Sequence, residues 1–142
     1  MTEVTSDKKR PPFRLLITGS RDWDDPEEIW HRLNIIHKKL SRRPAVLLSG
    51  ACPTGADRIA ESHWLSLGSP WANDHSAGKR TVERYPANWD FYGKSAGFKR
   101  NAQMIAAHPV LCLAFIRHSS KGATHTANLA QAAGIKSFIF RQ

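Results

Sequence analysis

Two cysteines in 142 residues are too few for a disulfide framework or a four-thiolate zinc site. Cys112 lies in an apolar run and reads as a small buried hydrophobe, and Cys52 as a loop residue near a helix start. No apolar stretch approaches the roughly 20 residues of a membrane span. The first twelve residues lack the apolar core of a secretory signal, so they read as a short disordered tail ending at Pro11-Pro12. The expected setting is cytoplasmic. Zinc-protease His pairs, a Walker P-loop and the three-glycine dinucleotide fingerprint are all missing. Neither a metal nor a cofactor is expected. The scarcest feature is local: residues 101–142 contain no Asp or Glu.

What is present begins with charge. Twenty-one Lys and Arg face twelve Asp and Glu, a net +9. Residues 13–74 balance at eight of each sign, whereas residues 75–100 and 101–142 each carry an excess of four positives. A basic second half favours anionic partners such as phosphates, nucleotides or nucleic acid. Lys8-Lys9-Arg10 reads as a solvated part of the tail.

Apolar runs then alternate with helical periodicity. Residues 13–18, 45–50 and 110–116 are short apolar strands, the last apolar throughout, as a strand buried on both faces requires. Residues 81–85 alternate weakly, as at a sheet edge, and 135–140 form a closing strand. Helices are predicted from Asp24-Asp25-Pro26 to about Arg43, over 54–67, 93–108 and 121–133. On the third, Phe98, Ala102, Ile105 and Ala106 are assigned to the inner side, and Arg100 and Asn101 read either as a solvated face or as ligand contacts. Residues 69–79 read as an irregular loop. The expected fold is α/β: a Rossmann-like, open, mostly parallel sheet of about five strands with helices on both faces, one domain over residues 13–142.

In such folds the ligand sits beyond the carboxyl ends of the strands, so four loops distant in sequence share one surface. The first, 18–23, offers Gly19 for close backbone approach and Ser20 and Arg21 as donors. The second, 49–57, sets Gly50, Gly55 and Ala56 around a helix start, with Asp57 either complementing the helix dipole, accepting from a ribose hydroxyl or orienting a loop. The third, 86–93, leads to Lys94, Lys99, Arg100 and Asn101; Trp89, Phe91 and Tyr92 there read chiefly as core, with base stacking as the alternative. The fourth, 117–126, places Ser119, Ser120, Gly122, Ala123 and Thr124 as a phosphate cradle before a helix. His118 and His125 lie close to it.

Taken together, Leu16-Ile17-Thr18-Gly19-Ser20-Arg21, Ser49-Gly50-Ala51 with Thr54-Gly55-Ala56-Asp57, Pro86-Ala87-Asn88-Trp89, Gly93-Lys94 with Ala96-Gly97, Arg100-Asn101-x-x-Met104 and Gly122-Ala123-Thr124-His125-Thr126 closely resemble the YspA/cpYpsA-related branch of the SLOG superfamily, over about residues 13–140. The resemblance implies a Rossmann-like domain for a nucleotide or nucleotide-derived ligand. Relatives include the lonely-guy phosphoribohydrolases, molybdenum-cofactor carrier proteins and the DNA-binding DprA proteins. The phosphoribohydrolases combine Arg-x-x-x-Met with a Pro-Gly-Gly-x-Gly-Thr-x-x-Glu turn, whose Glu assists N-glycosidic cleavage. Arg100 to Met104 matches the first element. In the second, Gly122-Ala123 replaces Gly-Thr and the Glu register falls near Thr126, which removes that catalytic group and leaves Asp57 or Asp22 as the nearest substitutes.

The leading expectation is therefore binding, for sensing or sequestration, of a nucleotide-derived small molecule. Gly19–Arg21, Gly50–Asp57 and Ser119–Thr124 would cradle phosphates, and Arg100 and Asn101 would fix charge and orientation. The alternative is a hydrolase of an N-glycosidic or phosphoester bond with Asp57 as base. A further alternative is binding of single-stranded nucleic acid, with which +9 and five Trp are compatible. No membrane partner is expected, and assembly into a homo-oligomer is left open.

Overall fold

A computed structural model of the chain describes residues 10–69 and 77–142. Most of the expected tail and the middle of the 69–79 loop, including His75, lie outside these residues. Five strands, β1 (Phe13–Gly19), β2 (Ala45–Ser49), β3 (Arg80–Arg84), β4 (Leu111–Ile116) and β5 (Lys136–Arg141), pair in parallel in the order β3-β2-β1-β4-β5. The long helices between them are α1 (Pro26–Leu40), α2 (Gly55–Leu67), α4 (Ala96–Ala106) and α5 (Lys121–Ala132); a four-residue α3 (Trp89–Tyr92) and a 3-10 turn (Gly93–Ser95) precede α4. The open, Rossmann-like α/β sheet is as the alternation of elements predicts.

The two-residue period of the strands sorts the helices onto opposite faces. Leu15, Ile17, Leu47, Leu113 and Phe115 point one way and pack with Ile29 and Leu33 of α1 and Ala60 and Trp64 of α2. Leu16, Leu48 and Cys112 point the other way, against Met104 of α4 and Ala130 of α5. Burial on both sides explains why β4 is apolar throughout and why the centre of β1 is Leu15-Leu16-Ile17, and each fully buried Leu or Ile contributes about 1.5–3 kcal/mol. Burial also pushes the Cys112 thiol up to about 12, so it is an inert core group. Asp25 caps α1 by accepting from the Glu28 N–H at 3.4 Å, with Pro26 in the first turn.

Arg80 fastens β3 to the end of α1. Its side chain is 4% exposed and donates to His37 Nδ1 at 2.9 Å and to the carbonyls of Arg43, Lys79 and Ser41 at 2.8–3.0 Å. A guanidinium is tolerated in the interior because so many of its N–H groups find acceptors.

Two expectations need correction. The inner face of α4 is Ala96, Asn101 and Met104, with Ile105 partly buried; Phe98, Ala102 and Ala106 are exposed. The helix proper begins at Ala96, after a 3-10 turn over Gly93–Ser95. Burying Asn101 is allowed because its amide is hydrogen-bonded at both ends, which also removes the solvated-face reading of that residue. The aromatic residues before α4 are not core. Trp89, Phe91 and Tyr92 are 50%, 76% and 40% exposed, because α3 is a single turn at the sheet rim that buries nothing.

Candidate functional site

The chain runs from β1 outwards to β2 and β3, then returns to β4 on the other side of β1. The loops leaving β1 and β4 therefore depart side by side in opposite directions, and a crevice opens between them. A cleft of about 470 Å³ lies there, with contributions from all four strand-end loops and from α4.

The first and fourth loops are joined by hydrogen bonds. Ser20 is 1% exposed; its Oγ accepts from the Arg117 N–H at 2.7 Å and donates to the Arg117 carbonyl at 3.1 Å. Its own N–H donates to the Phe115 carbonyl, and its carbonyl accepts from Ala56. Ser20 thus ties the loops together and turns away from the cleft. The N–H of Ala56 is spent on the same junction. Gly55, at φ +70°, fits there because any Cβ would overlap the Ser20 carbonyl and the backbone of Arg21. Gly19 is equally constrained: a Cβ would overlap the Ala56 side chain and approach the Phe115 carbonyl within 2.7 Å. Gly19 and Gly55 therefore serve close packing at the crevice floor.

Arg100 crosses from α4 to the second loop. It donates to the carbonyl of Gly50, to that of Tyr85 at 3.4 Å, and through Nε to Asn101 Oδ1 at 2.8 Å. A Cβ at Gly50 would sit 2.8 Å from Arg100 Nη1 and 3.1 Å from Asp57 Oδ2, so the ends of these side chains would have to shift. Asn101 carries the network onward, its Nδ2 lying 3.4 Å from the Gly122 carbonyl and 3.2 Å from His125 Nδ1. The pair Arg100-Asn101 braces the second, third and fourth loops against α4.

Asp57 lines the cleft yet is only 6% exposed. Burial raises its carboxyl to about 6, against the opposing pull of the Cys52 N–H, which donates to Oδ2 at 3.2 Å, and of the Arg100 charge. Burial likewise lowers the Arg100 guanidinium from its ordinary value, with Asp57 opposing. The second loop is held in shape by this carboxylate, and Ala51 within it adopts φ +62°.

The remaining cleft wall is cationic and aromatic. Arg21, Lys94, Arg100 and Arg117 line it against Asp22 and Asp57. Arg117 is engaged with the Asp22 carbonyl at 2.8 Å and the Asp24 carboxylate at 3.2 Å. Arg21 places its guanidinium 5.9 Å from the centre of the Trp89 ring. Beyond Arg117 the chain holds His118 and Ser119 consecutively at φ +52° and +54°, a strained turn that delivers Ser120, Gly122 and Ala123 to the cleft.

Of the residues proposed from sequence, Gly19, Arg21, Gly50, Asp57, Arg100, Asn101, Ser120, Gly122 and Ala123 line this cleft. Ser119 and Thr124 instead line a neighbouring groove with Lys121, His125 and Arg141. Phe98, assigned from sequence to the inner side of α4, and Gly97 were missed as cleft residues; the available signal was their place just before Arg100 and Asn101 on the same helix. Among the described residues no three His, Cys, Asp or Glu side chains converge as a metal-ligand set, and no helix is long and apolar enough to cross a membrane.

The comparisons with known proteins agree with the geometry. The model of the YspA, cpYpsA-related SLOG family matches residues 13–92, from β1 through α3. Gene 61 protein of Mycobacterium phage D29 is 38% identical over 124 residues, which covers 86% of this chain and 91% of the phage protein. No solved structure matches. A family match that takes in the first three cleft loops, and a relative aligned over nearly its whole length, lead to one conclusion: the chain belongs to the YspA, cpYpsA-related SLOG family.

Proposed function

We propose that this protein binds a nucleotide or nucleotide-derived small molecule in the strand-end cleft, in a cytoplasmic setting, as a sensing or sequestering domain. The observation that carries the reading is the crevice between β1 and β4, where four cationic side chains meet the start of α5. Arg21 and Lys94 supply charge to phosphates, and the N-terminus of α5 at Lys121–Ala123 supplies backbone N–H groups. Arg100 and Asn101 fix the second loop and the start of α5. Calorimetric titration with AMP, ADP, ADP-ribose and NAD tests it. Binding is expected for at least one of them, and loss of binding in Gly122→Asp and Arg100→Ala. The reading fails if none binds, or if both variants bind like the wild type.

A second reading rests on Asp57. A carboxyl held near 6 in a cleft exchanges protons at neutral pH, as a general base must. Asp57 would then activate water for N-glycosidic or phosphoester cleavage. Release of product from nucleoside monophosphates or NAD, abolished in Asp57→Asn, supports this reading. Intact substrate after long incubation rejects it.

A further inference from the structure

Exposed aromatic rings that line a cleft offer apolar surface to a ligand, unlike exposed rings scattered singly. Two such rings stand at the mouth of the cleft. Trp89 comes from α3 and is 50% exposed; Phe98 comes from α4 and is 49% exposed. Neither packs into the core clusters. Between them in the lining is Gly97, where a Cβ would stand 3.4 Å from Trp89 Cη2, so the floor beside the indole is bare backbone. Phe98 is steadied from behind by the His125 ring, whose centre is 4.4 Å away. The aromatic lip thus adjoins a cationic floor, with the Arg21 guanidinium already over the indole.

We infer that Trp89 and Phe98 form a nucleobase-stacking subsite, so that the ligand class is a nucleotide bearing its base rather than a phosphorylated sugar. The inference rests on the nucleotide-binding reading above. A flat, apolar, π-rich group with anionic phosphates attached matches a lip of two rings next to Arg21, Lys94 and Arg100; a sugar phosphate matches only the floor. Phe91 and Tyr92 are also exposed, but they contact each other edge to face at 4.7 Å and do not line the cleft. The stacking surface is therefore sized for one base at the cleft rather than for a run of bases along α3.

The test compares AMP with ribose 5-phosphate on the full chain by calorimetry. AMP is expected to bind at least about fivefold more tightly than ribose 5-phosphate, the scale of one base–aromatic stack. Trp89→Ala should erase that difference while leaving ribose 5-phosphate binding unchanged, and Trp89→Phe should restore most of it. Phe91→Ala should bind AMP like the wild type. Equal binding of the two probes by the wild type overturns the base subsite while leaving the cleft as a phosphate site. Binding of neither probe overturns this proposal, and the same result across the nucleotide panel overturns the reading it rests on. Equal weakening by Trp89→Ala and Phe91→Ala, together with tighter binding of a short oligodeoxythymidine than of AMP, overturns it in favour of a strand-binding surface.

Discussion

The Ser20 hydroxyl and the Arg117 backbone satisfy each other, Oγ accepting from the N–H at 2.7 Å and donating to the carbonyl at 3.1 Å across 97 positions of chain. A single small side chain therefore sets the separation of the two loops that frame the crevice.

Ser20→Ala is expected to destabilise the protein by about 1–3 kcal/mol, since it strands an N–H and a carbonyl that the hydroxyl now serves. Urea denaturation measures this. A residue whose main role was to hold phosphate would show the opposite pattern, with unchanged stability and weakened ligand binding.

Gly55→Ala should be far more damaging than Gly122→Ala. At Gly55 the left-handed backbone costs about 1–2 kcal/mol for any other residue, and the new Cβ overlaps the Ser20 carbonyl. At Gly122 nothing lies within 4 Å of a new Cβ, so alanine in the first turn of α5 should be neutral or stabilising by up to about 1 kcal/mol. Similar melting temperatures for the two variants would contradict the packing described for the crevice floor.

Asp57 gives a pH dependence of definite sign. Its folded value of about 6 lies above the ordinary 3.8, so the native state holds the proton more tightly than the unfolded chain. Its contribution to stability therefore declines as pH rises from about 4 to about 6 and stays low above that. Asp57→Asn keeps an acceptor for the Cys52 N–H and removes the penalty. It should be more stable than the wild type at pH 7.5, by an amount on the order of 2–3 kcal/mol, with no gain at pH 3.5. Thermal melts at several pH values check this; parallel curves would refute the assignment.

Arg80→Lys should cost about 2 kcal/mol or more, although charge is conserved. An ammonium has three donors and no fork, and it cannot reach His37 Nδ1 and the carbonyls of Arg43, Lys79 and Ser41 together. Chemical denaturation within 0.5 kcal/mol of wild type would show that most of these bonds contribute little.

The strands were legible because 13–18, 45–50 and 110–116 are short apolar runs, and the last, apolar throughout, announces both-face burial directly. The crevice followed from the parallel topology, which is why residues as distant as Gly19 and Gly122 could be assigned to one surface. Ser20 was legible as a loop donor but not as a brace, because its partner is backbone, and a backbone N–H has no sequence signature. The same holds for Arg80, whose acceptors are mostly carbonyls. The aromatic residues of α3 were misread because a single turn carries too few residues to fix a period, and the face of α4 because its buried Asn101 is polar while Phe98, Ala102 and Ala106 on the exposed side are apolar.

The strand order has a consequence for truncation. β1 has β2 on one flank and β4 on the other, pairing Leu15–Gly19 with Leu111–Phe115. A fragment ending at residue 92 would hold most of the sequence by which the family is recognised, yet it would present β1 as a bare apolar edge, ready to add a strand from another copy. It would also lack half the crevice. Because the closing partner arrives from almost a hundred positions away, the cleft is completed only once β4 and the start of α5 have been synthesised and folded. Ligand occupancy would then report on the integrity of the entire fold, and an incomplete copy would be silent.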